Sequence, residues 1–196
     1  EILMLRRNDA YFPPFVYESN TLRGVTGRTY GLKVEYGGHT ITASTQIPES
    51  QPIDSLWFSP ANGVDTTGYI MLRFPDKIGV DNYYRILTKK SSATKYTPVF
   101  LPNLDGSLVD GQIVTMSLTE ENSETKPKLF NVNDTVCVKL YTMNYLEFKF
   151  WNSLYSEHLN TTNPFAASNL HVQSNINGGL GVWAGYGTSI KQIVCK

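Results

Sequence analysis

The chain predicts an all-β protein, mainly antiparallel, with a single helix near residues 143–159. Three observations predict it. Apolar and polar side chains alternate with a period of two through most of the chain, as they do in strands buried on one face. Aromatic residues reach 12%, with 12 tyrosines, while charged residues are only 17%, a balance that favours strands presenting aromatic side chains. One segment alone replaces the period of two with helical spacing. At 196 residues and 41% hydrophobic content, the chain is long enough for one large domain or two small ones.

In order along the chain, the first clear element is "RTYGLKVEYGGHTITAST". Tyr30, Leu32, Val34 and Tyr36 share one face, and Gly31, Lys33 and Glu35 share the other. Gly37-Gly38 separates this run from a second one, His39 to Thr45, which makes it the strongest hairpin signal in the sequence. "IPESQP" (Ile47 to Pro52) is polar and proline-flanked and reads as a linker. It divides a partial sandwich-like module, residues 1–50, whose upstream strands are expected to be missing, from a larger β-domain, residues 51–196.

Strands are then expected in "DSLWFS" from Asp54, "GYIMLRF" from Gly68 and "NYYRILTKK" from Asn82. The last two are joined by "PDKIGVD", a turn-rich loop of hairpin type. "GQIVTMSLTE" and "DTVCVKLYTM" predict another pair, connected by the polar stretch "ENSETKPK", which has no apolar anchor and is expected to be mobile. In "MNYLEFKFWNSLYSEHL", Met143, Leu146, Phe150 and Leu154 recur at helical spacing, widened by Tyr145, Phe148, Tyr155 and Leu159. This stripe predicts a helix capping the sandwich. "LGVWAGYG" and "SIKQIVCK" close the chain as strand-like segments.

Charge excludes one class of function. Lys+Arg and Asp+Glu both number 17, so no net field recruits nucleic acid or an anionic membrane. No apolar run approaches the roughly 20 residues of a membrane helix. The chain opens on Glu1, so the lack of a visible signal peptide carries no information. Two cysteines, Cys137 and Cys195, allow one disulfide; the alternative is a pair of reduced thiols packing as small hydrophobes.

Catalytic and metal motifs are missing. His39, His158 and His171 belong to no zinc spacing, so no metal is assigned. Asp105 and Asp110 in "LDGSLVDG" lack the EF-hand order of oxygen ligands and read as turn formers. There is no G-x-S-x-G elbow, and no residue is given a catalytic role. The glycines of "SNINGGLGVWAGYG" (Ser174 to Gly187) invite comparison with a phosphate loop. Val182, Trp183 and Ala184 separate Gly181 from Gly185, one residue too many for a dinucleotide fingerprint, and no Lys-Ser/Thr follows. The run is therefore expected to be an irregular turn leading into a strand, with at least one glycine of Gly178-Gly179-Leu180-Gly181 at positive φ. No cofactor is implied.

"NPFAASNLHVQSNINGGLGVWAGYG" resembles the C-terminal motif of the lipoproteins grouped as domain of unknown function 4249. Asn163, Pro164, Phe165, Ser174, Asn175, Ile176, Gly178, Gly179, Leu180, Gly181, Trp183, Gly185 and Tyr186 match in order. Upstream, "GRTYGLKVEYGGHTITASTQIP" resembles the family's hairpin. Phe74, Asp76, Asn82, Tyr83, Tyr84 and Arg85 resemble its Phe-x-Asp…Asn-Tyr-Tyr-Arg pair, and "LVDGQ" its Asp-Gly turn.

The resemblance implies an exported lipoprotein of Gram-negative bacteria, lipid-anchored at the outer membrane or cell surface and often encoded beside TonB-dependent receptors. It implies no reaction. The resemblance also implies a lipobox cysteine and several strands ahead of the hairpin, which this chain is expected to lack.

The expected fold is an antiparallel β-sandwich, Ig-like or prealbumin-like. The expected function is non-enzymatic: accessory to a TonB-dependent outer-membrane receptor in nutrient binding and uptake. The alternative is a carbohydrate- or peptide-binding module with an aromatic platform built from Trp57, Trp183 and Tyr186. A hydrolase with a spatially assembled site is the third reading.

Overall fold

The computed structural model describes residues 1–9, 14–120, 128–161 and 171–196. The stretch 121–127 and the residues Asn163, Pro164 and Phe165 lie outside the described residues, so the expected mobility of "ENSETKPK" is not addressed. The protein is an antiparallel β-sandwich with one α-helix among the described residues.

Two small sheets come first. β1 (Met4–Arg7) pairs with β2 (Phe15–Glu18), and β3 (Thr29–Tyr36) pairs with β4 (His39–Gln46). The β3–β4 register places Tyr36 opposite His39, leaving Gly37-Gly38 as a two-residue loop. Both glycines have positive φ, +56° and +80°, as a tight hairpin turn requires. The cross-strand pairs Tyr30–Thr45, Leu32–Ala43 and Val34–Ile41 put the expected apolar face together.

The sandwich is built from β5 (Ser55–Ala61), β6 (Val64–Pro75), β7 (Tyr83–Lys90), β8 (Thr97–Asp105), β9 (Ile113–Leu118), β10 (Phe130–Asn131), β11 (Thr135–Met143) and β12 (Gly187–Val194). In one sheet β6 is central, with β5 on one side and β9 and β10 in succession on the other. The second sheet has the order β12-β11-β7-β8. Alternate residues of both sheets meet between them: Ile70, Leu72 and Phe74 of β6, Tyr84 and Ile86 of β7, and Val136, Val138 and Leu140 of β11 are fully buried. Each such aliphatic or Phe side chain contributes about 1.5–3 kcal/mol by leaving water.

This pairing corrects two expectations. β6 and β7 do not form a hairpin, because β6 already has partners on both edges and β7 lies between β8 and β11 in the other sheet. Residues 76–82 are therefore an inter-sheet connection. For the same reason "GQIVTMSLTE" and "DTVCVKLYTM" do not pair: β9 joins β6, while β11 joins β7 and β12.

Of the two readings of the cysteines, the disulfide is not made; both thiols are free. Cys137 sits between the buried Val136 and Val138 and so points to the outer face of its sheet, whereas Cys195 is buried in the core. Burial pushes the Cys195 thiol up to about 11.

The helix α1 spans Tyr145–Thr161, shifted from the expected 143–159. Met143 ends β11 and is 1% exposed, while Asn144 precedes the helix and its carbonyl accepts from Phe148 N at 3.0 Å. Glu147 reaches back to Asn144 N at 2.6 Å, the carboxylate half of a capping box. The stripe is corrected too: Leu146 and Leu154 are exposed, and the most buried residue of the helix is Glu147, 1% exposed. Its partners, Thr45 and Asn144, both lie outside the helix, which no periodicity reports.

Candidate functional site

The glycine run forms a clamp between the β3–β4 hairpin and the sandwich. Asn177 and Thr42 exchange both backbone hydrogen bonds, 2.8 and 3.1 Å. Gly178 has φ +81° and Gly181 φ +141°, the positive values expected there. A Cβ on Gly178 would lie 3.0 Å from Thr40 O, and one on Gly185 would lie 2.8 Å from Ile47 Cγ1. The backbone of this segment approaches residues 40–49 more closely than side chains allow.

"LGVWAGYG" is not a strand, contrary to expectation. The backbone groups of Trp183 are taken by a side chain instead: Trp183 N donates to Asn175 Oδ1 and Asn175 Nδ2 donates to Trp183 O, both at 2.8 Å. With its ladder groups satisfied this way the segment has no need of a strand partner. Ser174 Oγ closes the loop further, accepting from Gly181 N and donating to Gly181 O. Thr45 Oγ1 links the three parts. It accepts from Gly185 N at 3.0 Å and donates to the Glu147 carboxylate.

The three aromatic candidates are not brought together. Trp57 is 39% exposed and alternates with Leu56 and Phe58, which pack on the core, so it points outward from the β5–β6 sheet. Tyr186 stacks on Tyr141, on the outer face of the other sheet, with ring centroids 4.4 Å apart. Trp183 is half-buried and its Nε1 donates to Tyr30 O at 2.9 Å. Trp183 and Tyr186 serve the clamp, and Trp57 stands alone on the opposite side.

The Phe-x-Asp…Asn-Tyr-Tyr-Arg residues divide between structure and site. Tyr84 packs edge-on against Phe74, with centroids 4.9 Å apart, and its hydroxyl donates to Asp76 Oδ1 at 2.5 Å. Asp76 Oδ2 accepts from Gly111 N of the Asp-Gly turn, and Asp110 Oδ1 accepts from Gly79 N. Asp105 caps a single 3-10 turn through Ser107 N. Both aspartates of "LDGSLVDG" thus serve the backbone.

Arg85 does something else. It faces outward from β7, under α1, yet is only 8% exposed. Its guanidinium lies 4.2 Å from the centroid of the Trp151 ring, and Nη1 donates to Asn103 Oδ1 at 2.7 Å. Trp151 Nε1 in turn donates to Tyr186 OH at 2.7 Å. Burial pushes the Tyr186 hydroxyl up to about 12, against the lowering effect of the Trp151 hydrogen bond.

The other wall of this site is an interruption of β8. Arg85 pairs with Asn103 and Leu87 with Pro98, so residues 99–102 bulge opposite Ile86. Val99 crosses to a bridge with Glu120, and Phe100 N donates to Thr119 O. Leu101 takes φ +53°, at a cost of about 1–2 kcal/mol for a residue with a Cβ. Its N–H donates to Tyr155 OH at 3.1 Å, which ties the bulge to the helix.

Between bulge and helix lies a cleft of about 330 Å³ lined by Arg85, Pro98, Trp151, Leu154, Tyr155 and His158. This cleft is a candidate site that sequence reasoning did not select. Its helical part was legible: Trp151, Leu154, Tyr155 and His158 follow the i, i+3, i+4, i+7 spacing of one helix face. The Arg85 contribution comes from a strand 66 residues away in sequence from Trp151 and depends on the sheet order. Among the described residues no group of three or more His, Cys, Asp or Glu side chains is arranged to hold a metal ion.

No curated protein and no solved structure matches the chain. The hairpin, the Phe-x-Asp…Asn-Tyr-Tyr-Arg pair, the Asp-Gly turn and the glycine clamp all fall within a single family match spanning residues 5–192. The chain therefore belongs to the family described as Domain of unknown function (DUF4249).

Proposed function

We propose that this chain is a non-catalytic binding component of the bacterial cell envelope, lipid-anchored in its longer form, that assists nutrient uptake by a TonB-dependent outer-membrane receptor. The supporting observation is how the α1–β8 cleft is held. Arg85 is fixed by Trp151 and Asn103, Trp151 by Tyr186, and Tyr155 by the backbone of Leu101. Side chains that lock one another in place give a preorganised surface, which lowers the ordering cost of binding.

The test is purification of the full-length lipoprotein from its own membrane after mild cross-linking. Recovery of a TonB-dependent receptor in near-stoichiometric amount supports the reading. Recovery of the lipoprotein with no receptor, from cells that express both, overturns it.

A further inference from the structure

We infer that the free edge of β3 is a self-association site, at which a second copy of this chain adds its own β3 antiparallel and joins two β3–β4 hairpins into one sheet. The inference is independent of the binding role proposed above.

The hairpin stands as a two-stranded sheet, and only its β4 edge is taken. There Thr42 turns its N–H and C=O to Asn177 of the glycine clamp. Lys33 is the cross-strand neighbour of Thr42, so by the alternation of an antiparallel ladder it turns its own groups the other way. Thr29, Gly31 and Glu35 do the same. Among the described residues these groups meet no hydrogen-bonding partner. An open edge of this kind is a template for one more strand.

The side chains of that edge select a second copy. A lysine alone on an edge repels another copy by like charge. β3 carries instead two exposed charges of opposite sign two residues apart, Lys33 and Glu35, already 2.6 Å from each other. With a two-fold axis at Val34, Lys33 faces Glu35 of the second copy, and Glu35 faces its Lys33. Both pairs fall on residues whose N–H and C=O point to the free edge, so main-chain and charge pairing share one register. Sliding the copy by two residues sets lysine against lysine or glutamate against glutamate, which disfavours the neighbouring registers. On the other face the same register sets Val34 on Val34 and Leu32 beside Tyr36. It covers Val34 and Tyr36, which are 41% and 83% exposed in the single chain. Such a contact is isologous and closes as a dimer.

The test is sedimentation velocity of the purified chain and two variants, Lys33→Glu and Glu35→Lys, over a range of concentrations. The parent is expected to dimerise reversibly with a dissociation constant of about 10 µM to 1 mM, the weak range of a small interface. Each variant alone places like charges opposite one another and is expected to weaken the dimer at least about tenfold. An equimolar mixture of the two recovers it, because one copy then offers two glutamates and the other two lysines. Both positions are exposed, and thermal melts check that the variants fold. In a Cys137→Ser background, Val34→Cys is expected to cross-link under mild oxidation, since the two-fold brings its Cα atoms within disulfide reach. Thr42→Cys, on the clamped edge, is not expected to cross-link.

Four results overturn the inference. The first is a monomer at every concentration up to about 1 mM. The second is a dimer that neither charge reversal weakens. The third is a mixture of the two folded variants that does not recover the dimer. The last is cross-linking of Thr42→Cys as fast as that of Val34→Cys.

Discussion

Gly178 and its neighbour Gly179 offer a matched test of why the glycine run exists. At Gly178 the backbone has φ +81° and an added Cβ would lie 3.0 Å from Thr40 O. The left-handed conformation costs a residue with a Cβ about 1–2 kcal/mol. The loss of unfolded-state freedom on replacing glycine by alanine returns about 0.4–1 kcal/mol. The close contact with the Thr40 carbonyl offsets that return, because the Asn177–Thr42 bonds hold the two segments together. The net expectation for Gly178→Ala is a loss of about 1–2 kcal/mol, or about 2–8 °C in melting temperature for a domain of this size. Gly178→Val costs more, since its χ1 is restricted as well. At Gly179 φ is not positive, and the nearest atoms to an added Cβ are side-chain methyls of Ile176 and Ile41 at 3.4–3.6 Å. Gly179→Ala is expected to stay within about 0.5 kcal/mol of the parent. Thermal and urea melts of the two alanine variants, each beside a phosphate titration, provide the assay. Equal destabilisation of both would remove the conformational argument. Saturable phosphate binding by the parent that disappears in a Gly178→Ala protein of unchanged stability would show that the run is an anion site after all.

Glu147→Ala strips the buried Thr45 hydroxyl and Asn144 N–H of their acceptor, each worth about 1–3 kcal/mol when left unpaired. It should therefore lower the urea midpoint strongly at unchanged slope, and a double-mutant cycle with Thr45→Val should show coupling of about 0.5–3 kcal/mol; additive effects would separate the two residues. Iodoacetamide without reductant is expected to label Cys137 in the folded protein and both cysteines after guanidinium, given the burial of Cys195 and its raised pKa; no labelling after unfolding would reveal a disulfide. Tyr186, held at about 12 against an ordinary 10, keeps its proton when folded at pH values where the unfolded chain has lost it. Its contribution is thus complete below about pH 10 and declines as pH rises towards 12, so Tyr186→Phe should flatten the stability profile in that window; an identical slope in the variant would assign the decline to other groups.

The hairpin and the strands were legible because their determinants are local. Tyr30, Leu32, Val34 and Tyr36 alternate whatever surrounds them, and two consecutive glycines turn a chain back on itself by their own dihedral freedom. The rejection of a phosphate loop was local in the same way, since it turned on a one-residue difference in spacing. Which strands pair was not legible: β6, β7, β9 and β11 are all alternating runs, and alternation says that a strand has a buried face without saying who lies beside it. The hairpin expected between β6 and β7 failed on that point, as did the one between β9 and β11.

Two side chains mark the boundary most clearly. Glu147 reads in sequence as the polar member of a helix turn, yet Thr45 and Asn144 bring it to 1% exposure, because hydrogen bonds from separate segments can satisfy a carboxylate that water no longer reaches. Arg85 reads as the last residue of a motif, and only the sheet order and the β8 bulge set it against Trp151 and open a cleft there. By itself the sequence determined the class of fold, the hairpin, the helix and the family. The tertiary structure alone decided the strand partners, the separation of the two cysteines and the place of the site, because each depends on contacts between residues far apart in the chain, which no local pattern encodes.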